Sequence, residues 1–331
     1  MAQNDNHNRI DKYILGIHEN FIKGIFDNKK YKLDDKYINV NQVALPPELQ
    51  LHNSQLAAER VNDPKIKPYV ARFSKVMLDN FPPNVLINFF NNFKTVTIKR
   101  DLSRFFSGDA GVYIGADQNS IYYLDKDSLY HELFHMASSS REGNINFDGL
   151  SQYYFIRTGA KTISVSDIGD GINEGYTQLL TNRYFGNGRK SYIYDKEVTY
   201  ASRVEKIVGV GKMTEYYFNN NLYGLINALA QYSNEERAQK FITDLDYVHK
   251  ADMKLFSIDR KKMKESINSI KEFLADCYMN KLIGQYERRE YNINDVARMY
   301  AEFLSAFTTS IRVGPFKYEY QYGIEEKKHT R

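Results

Sequence analysis

One short segment of the chain carries residue types whose spacing could support metal chemistry. Residues 131–135 read His-Glu-Leu-Phe-His, which is the pattern H-E-x-x-H. On a helix, residues four apart point to the same side, so His131 and His135 can present their imidazole nitrogens to one Zn²⁺. Glu132 lies one residue round the helix, where its carboxylate can reach a metal-activated water without occupying the metal. The pattern therefore predicts a hydrolytic zinc site.

A tetrahedral zinc site needs a third protein ligand, and the sequence narrows the choice. A histidine six residues after His135 is absent, because position 141 is arginine. The remaining histidines have no motif around them: His7, His18, His52, His249 and His329. The alternative is a glutamate on a second helix, and Glu174 in the segment Gly-Ile-Asn-Glu-Gly is such a residue. Apolar residues at helical spacing surround it, so we expect its helix to pack on the first.

The combination of H-E-x-x-H with a downstream N-E-G segment resembles the gluzincin zinc metallopeptidases, which include thermolysin-like and aminopeptidase-N-like enzymes. The resemblance covers residues 128–139 and 170–185. It implies one zinc ion, three ligands, one general base, and a peptide or protein as the substrate. The implied ligands are His131, His135 and Glu174, and the implied base is Glu132.

The same resemblance indicates which neighbours could support the ligands. Asn173 matches the asparagine that precedes the ligand glutamate in the family. Gln178 stands where thermolysin-like enzymes have an aspartate, and its amide oxygen can still hold a histidine. The oxyanion of the reaction also needs a hydrogen-bond donor. Among 27 tyrosines, three lie near the ligand helix in sequence and are candidates: Tyr176, Tyr194 and Tyr200.

The departures from the family favour an endopeptidase. The G-x-M-E-N segment with which aminopeptidases hold a substrate amino terminus is missing. A β-rich run leads directly into the motif helix, and we expect its edge, around Ile121 to Leu124 or Val112 to Ile114, to pair with an extended peptide. A second hypothesis is a catalytically inactive zincin-fold module that serves in binding or regulation. The presence of Glu132 argues against it, because a structural zinc does not use a base.

The elements around the motif predict an α+β fold that is mostly α. A small antiparallel sheet should precede the motif helix, which we place at about residues 128–139, with Asp127 or Ser128 as its cap. Residues 144–165 resemble a loop or hairpin insert, and helices should follow from Asp170, including one at about 294–312. Asp170 or Asp167 should cap the ligand helix.

The distribution of proline suggests three regions. Six of seven prolines precede residue 84. We therefore predict a helical N-terminal region with Pro-rich connections (1–83), a zincin-like metallopeptidase domain with a C-terminal helical subdomain (84–314) and a polar tail (315–331).

Composition excludes several other functions. The formal charge of +4 is small and scattered, so we expect no nucleic-acid partner. Cys277 is the only cysteine, which excludes an intramolecular disulfide or a thiolate metal cluster. The sequence shows no signal peptide and no long apolar run, so we expect a soluble, cytoplasmic protein without a membrane partner.

Overall fold

The computed structural model describes most of the chain from Pro64 onward. The described residues are 64–102, 110–115, 118–158, 161–186, 194–253, 259–307, 310–313 and 316–319. Most of the predicted N-terminal region lies outside these residues, as does most of the predicted tail. The division into three regions therefore stays a prediction. The described residues are mostly helical with small sheets, which confirms the predicted fold class.

Two helices of the described residues precede the first sheet and form one wall of the core. Helix α1 spans Lys67–Asn80, a 3₁₀ turn spans Pro83–Val85, and helix α2 spans Ile87–Phe93. The ring of Phe73 on α1 packs edge-on against Phe134 with 5.0 Å between centroids. Since Phe134 belongs to the motif helix, this aromatic contact fixes that helix against the N-terminal wall.

The first sheet is mixed. Its strands β1 (Thr97–Arg100), β2 (Gly111–Ile114) and β3 (Ser120–Tyr123) have the order β1-β3-β2. Strand β2 runs antiparallel to β3, as predicted, whereas β1 runs parallel to it. The central strand is β3, so the predicted edge around Ile121 to Leu124 is wrong. Among the described strands, the edge beside the motif helix is β2.

The motif helix α3 spans Lys126–Ser138 and begins two residues earlier than expected. Its cap is Asp125, whose carboxylate accepts hydrogen bonds from the backbone N–H of Asp127 at 3.0 Å and of Ser128 at 2.9 Å. The Ser128 hydroxyl accepts from the Asp125 N–H at 3.1 Å, completing a capping box. Neither Asp127 nor Ser128 is the cap itself, because the chain already turns helical at Lys126.

Asparagine side chains from other elements close the carboxyl end of α3. Asn92 on α2 donates to the carbonyls of Met136 at 2.8 Å and Ser139 at 2.7 Å. The buried Asn220 donates to the Ser138 carbonyl at 2.6 Å. The last carbonyls of a helix have no partner within the helix, so these amides stabilise the end that carries His135.

A four-stranded antiparallel sheet lies between α3 and the ligand helix, where we predicted a loop or hairpin insert. Its strands, in the spatial order β4-β5-β6-β7, are β4 (Ser140–Glu142), β5 (Ile145–Asp148), β6 (Ser151–Thr158) and β7 (Lys161–Ile168). Gly143 and Gly149 have φ of 58° and 55° and occupy the turns that flank β5. The glycines thus mark tight turns between paired strands.

The ligand helix α4 spans Asp170–Phe185 and lies among the helices that follow it. A Cβ on Gly175 would stand 2.3 Å from the backbone oxygen of Glu197, and one on Gly171 would stand 2.7 Å from that of Leu245. These two glycines therefore allow helices of the C-terminal half to approach α4 closely. The glycine of the N-E-G segment thus has a packing role.

The C-terminal half is a helical layer around α4. Its helices are α5 (Asp195–Val208), α6 (Val210–Phe218), α7 (Leu222–Ala230), α8 (Glu235–Met253), α9 (Arg260–Glu287) and α10 (Ile293–Leu304). The last helix ends at Leu304, and strands β8 (Ser310–Val313) and β9 (Phe316–Glu319) form a hairpin after it. The helix predicted at about 294–312 is therefore shorter than expected. Within the described residues, no helix combines the length and apolar character needed to cross a membrane.

The amino end of α4 is capped by a residue of another helix. The carboxylate of Asp246 on α8 accepts the backbone N–H of Gly169 at 2.8 Å and of Gly171 at 2.9 Å. Asp170, a predicted cap, instead accepts from the Ser151 hydroxyl at 2.7 Å, and the helix N-cap is Gly169. The orientation of the ligand helix thus depends on α8.

Asp246 should make stability depend on pH. Burial and the nearby Asp170 raise the pKa of Asp246 to about 7. A carboxyl whose folded pKa is raised binds its proton more tightly when folded, so its stabilising contribution is present below about pH 4 and lost towards pH 7. Between pH 4 and pH 7, wild type should therefore lose unfolding free energy relative to Asp246→Asn, which has no carboxyl at this position. We expect this relative loss to be at least about 1.4 kcal/mol, the value of one pKa unit. Urea denaturation at pH 4 to 7 measures this, and a constant difference would contradict it.

Candidate metal centre

Three side chains from α3 and α4 converge on one point. The Nε2 atoms of His131 and His135 are 2.9 Å apart. The carboxylate of Glu174 lies 3.1 Å from Nε2 of His131 and 3.5 Å from Nε2 of His135. These ligand atoms all lie within 4.8 Å of one another, so the group could hold a metal ion. The prediction that Glu174 lies close enough to the two histidines to hold a metal ion with them is confirmed.

The spacing of these atoms is close to that of the ligands around one metal ion. Ligands about 2.0–2.1 Å from a zinc ion at tetrahedral angles are about 3.3 Å apart. The two Nε2 atoms are 2.9 Å apart, while Oε2 of Glu174 lies 3.1 Å from Nε2 of His131 and Oε1 lies 3.5 Å from Nε2 of His135. Both histidines are buried, whereas the Glu174 side chain is 18% exposed. The donor set therefore suits a metal ion, and Glu174 is its most exposed member.

Gln178 contacts the imidazole nitrogen of His131 that does not face Glu174. Its amide oxygen lies 3.1 Å from Nδ1 of His131, and its amide nitrogen donates to Oδ1 of Asn182 at 2.9 Å. The bond to Asn182 sets the amide so that its oxygen faces the imidazole. Nδ1 of His131 then carries the proton, which leaves the lone pair of Nε2 for a metal.

Asp148, which the sequence analysis missed, holds His135. Both of its carboxylate oxygens lie 3.1 Å from Nδ1 of His135. Asn173 is also close, with its Nδ2 atom 3.4 Å from the same Nδ1, while its Oδ1 accepts the backbone N–H of Leu150 at 3.0 Å. A nitrogen donor cannot bond to an Nδ1 that is itself protonated, so Asp148 is the hydrogen-bond partner when Nε2 faces a metal.

Glu132 is buried against the edge strand. A Cβ on Gly111 of β2 would stand 2.6 Å from Oε1 of Glu132 and 2.8 Å from its Cγ. Only glycine fits there without displacing the carboxylate. Burial raises the pKa of Glu132, although His131 and His135 partly offset that effect. A carboxylate with a raised pKa is a stronger proton acceptor, as a general base requires.

Of the three candidate tyrosines, Tyr194 is the one that lies beside His131. Its ring is stacked near His131 with 5.7 Å between centroids. The negative charge of Glu174, and then burial, raise the pKa of Tyr194 well above its ordinary value, so the hydroxyl stays protonated and can donate. Tyr176 points elsewhere and bonds to the Thr214 hydroxyl at 3.1 Å, and Tyr200 packs near Phe307. The sequence could not separate these three.

His249 is a second residue near the site that the sequence did not single out. Its ring centroid is 5.6 Å from that of Tyr194, and its Nδ1 lies 3.3 Å from the carboxylate of Glu197. Burial would lower the pKa of His249, but Glu197 and Glu174 outweigh it and raise the pKa. The Glu197–His249 pair therefore lies against Tyr194.

The carboxylates and histidines of this centre shift each other's pKa values. Burial would raise the pKa of Glu174, but the two histidines outweigh it and lower the pKa well below its ordinary value. Conversely, Asp148 and Glu174 overcome the effect of burial and raise the pKa of His135. The pocket thus favours positive charge, which a divalent cation supplies.

Comparisons with protein-family models, with curated proteins and with solved structures found no match to this chain.

Proposed function

We propose that this chain is a zinc-dependent metallopeptidase of the gluzincin type. The observation that carries the proposal is the convergence of His131, His135 and Glu174 on one point. Two imidazoles and one carboxylate form a donor set that suits zinc in hydrolytic sites, where one position stays open. When bound, the ion would activate a water and polarise a carbonyl for attack.

The proposed general base is Glu132. It lies on the motif helix with both histidines. Because it directly follows His131, its side chain leaves the helix in a different direction and does not compete for the metal. Its carboxylate would take the proton of the attacking water and pass it to the leaving amine. Because Gly111 has no Cβ, the Glu132 carboxylate has room beside β2.

The proposed site for an extended substrate is the outer edge of β2, on which no other described strand pairs. Ala110 accepts a hydrogen bond from the Leu124 N–H at 2.8 Å. Because inward and outward backbone groups alternate along an antiparallel pair, the N–H and C=O of Gly111 and Tyr113 face outward. A peptide paired there would lie directly beside Glu132. Backbone pairing does not depend on where a chain ends, so we propose endopeptidase activity.

A peptide-cleavage screen tests this function. Purified protein loaded with Zn²⁺ should cleave internal bonds of peptides, and a chelator should remove the activity. Each peptide is used with a free and with an acetylated amino terminus, and both should be cleaved at the same bond. Release of single residues from the free form alone would indicate an aminopeptidase instead. Zinc binding without cleavage of any peptide in the screen would favour an inactive binding module.

The proposed donor to the oxyanion is Tyr194, and its hydroxyl can be tested alone. Tyr194→Phe keeps the ring beside His131 but removes the donor, so we expect kcat to fall by about 10²-fold or more with zinc content unchanged. Steady-state kinetics and metal analysis measure both. Tyr176→Phe is the matched control, because its hydroxyl bonds to Thr214, and its kcat should stay near wild type. Equal kcat values for the two variants would contradict the role of Tyr194.

A further inference from the structure

The two ligand histidines are supported in chemically different ways. His131 donates its Nδ1 proton to a neutral amide, that of Gln178. His135 donates to a carboxylate, that of Asp148, which also lies 3.5 Å from the Ser138 hydroxyl. A carboxylate acceptor makes the imidazole more basic and binds its proton more strongly than an amide does. Asp148 should therefore influence the metal more than Gln178 does.

The position of Asp148 is fixed by its surroundings. It is the last residue of β5, it pairs with Ser151 across the turn to β6, and Gly149 makes that turn with φ of 55°. A Cβ on Gly149 would stand 2.2 Å from Oδ1 of Asn173, which bonds to the Leu150 N–H. The turn is thus locked against the ligand helix. The Asp148 side chain is only 18% exposed, so water competes weakly for its bond to His135.

We propose that Asp148 is a positioning residue that fixes the tautomer and orientation of His135 and tightens metal binding at this centre. The proposal rests on the metal site of the proposed function and adds a residue outside both sequence motifs. Asn173, the neighbour suggested by the motif, does not fill this role, because its oxygen is bonded to Leu150. The β5–β6 turn is thereby part of the metal centre.

Metal affinity tests this role separately from activity. Zn²⁺ dissociation constants are measured by competition with a chelating dye for wild type, Asp148→Ala and Asp148→Asn. We expect Asp148→Ala to weaken zinc binding by about 10- to 100-fold. Asp148→Asn keeps an acceptor oxygen without the charge, so its loss should be smaller but measurable. Asp276→Asn is the matched control, because Asp276 pairs with Arg237 on a distant helix surface, and its affinity should equal that of wild type.

The absorption spectrum of the Co²⁺-loaded protein adds a readout that a general loss of stability would not move. Asp148→Ala should change the ligand-field bands, because His135 is free to turn, whereas Asp148→Asn should retain them. Zinc affinities of both variants equal to wild type would overturn the proposal. If Asp148→Ala does not fold, an unchanged affinity in Asp148→Asn alone would overturn it. A wild type that hydrolyses nothing but binds zinc leaves this test intact, whereas a wild type that binds no zinc overturns the site and this role together.

Discussion

Replacing Glu132 with glutamine should greatly slow peptide hydrolysis while the protein keeps its fold and its metal. Glutamine has nearly the same shape, so it fits the space beside Gly111, but its amide cannot accept the proton of the attacking water. General bases contribute about 10²–10⁴-fold to rates, so kcat should fall within that range. Steady-state kinetics measure the fall, and metal analysis of the same samples should show one zinc per chain.

The energetics of Glu132 indicate that Glu132→Gln will not destabilise the fold. Burial raises the pKa of the Glu132 carboxyl, which means that the folded protein disfavours the charge at this position. A neutral amide avoids that cost, so the unfolding temperature of Glu132→Gln should equal or exceed that of wild type. Glu272→Gln, on the exposed face of α9, is the matched control and should change neither property. Turnover by Glu132→Gln at the wild-type rate would exclude Glu132 as the base.

The part of the centre that sequence could predict is the part that local geometry determines. His131 and His135 lie four residues apart on one helix, and the helix alone brings them to the same side. Glu174 was predictable as a residue type in a motif, but its contact with the histidines requires α4 to pack on α3. The glycines of α4 allow the close packing of the surrounding helices. That requirement is tertiary, and only the structure tests it.

The supporting residues could not be predicted, because no local pattern announces them. Asp148 lies 13 positions after His135 and reaches it only because β4, β5 and the turn at Gly149 fold back along α3. His249 meets Glu197 across 52 positions of chain. Because residues 144–165 were interpreted as a loop or hairpin insert, Asp148 was not considered as a partner of His135. Its only signal was an Asp-Gly pair, which is typical of a tight turn between strands.

Sequence patterns also misplaced some element ends for physical reasons. The apolar spacing of the last helix continues past Leu304 in sequence, yet strands β8 and β9 follow it. Similarly, Asp127 and Ser128 are both good capping residues, but Asp125 is selected because its carboxylate reaches two backbone N–H groups. Which residue caps the helix depends on where the preceding strand ends. For α3 that strand is β3, which ends at Tyr123.

Removing a ligand should abolish both metal binding and the stability that metal confers. His135→Ala leaves His131 and Glu174 as the remaining members of the proposed site and removes the hydrogen bond that His135 makes with Asp148. A metal that binds only the folded protein stabilises it by about 2.7 kcal/mol when its concentration is 100 times the dissociation constant. Excess Zn²⁺ should therefore raise the unfolding temperature of wild type, chelator should reverse the rise, and His135→Ala should respond to neither.

His249→Ala is the control that separates a ligand from a neighbour. His249 lies near Tyr194 and bonds to Glu197, and it is not among the three converging ligands. Its removal should lower activity yet preserve the full zinc-dependent rise in unfolding temperature. His135→Ala should instead lose that rise along with all hydrolysis, and Glu174→Ala should behave in the same way. A zinc-dependent stabilisation of His135→Ala as large as that of wild type would mean that the ion binds elsewhere, because two ligands from separate helices cannot hold zinc as tightly as three.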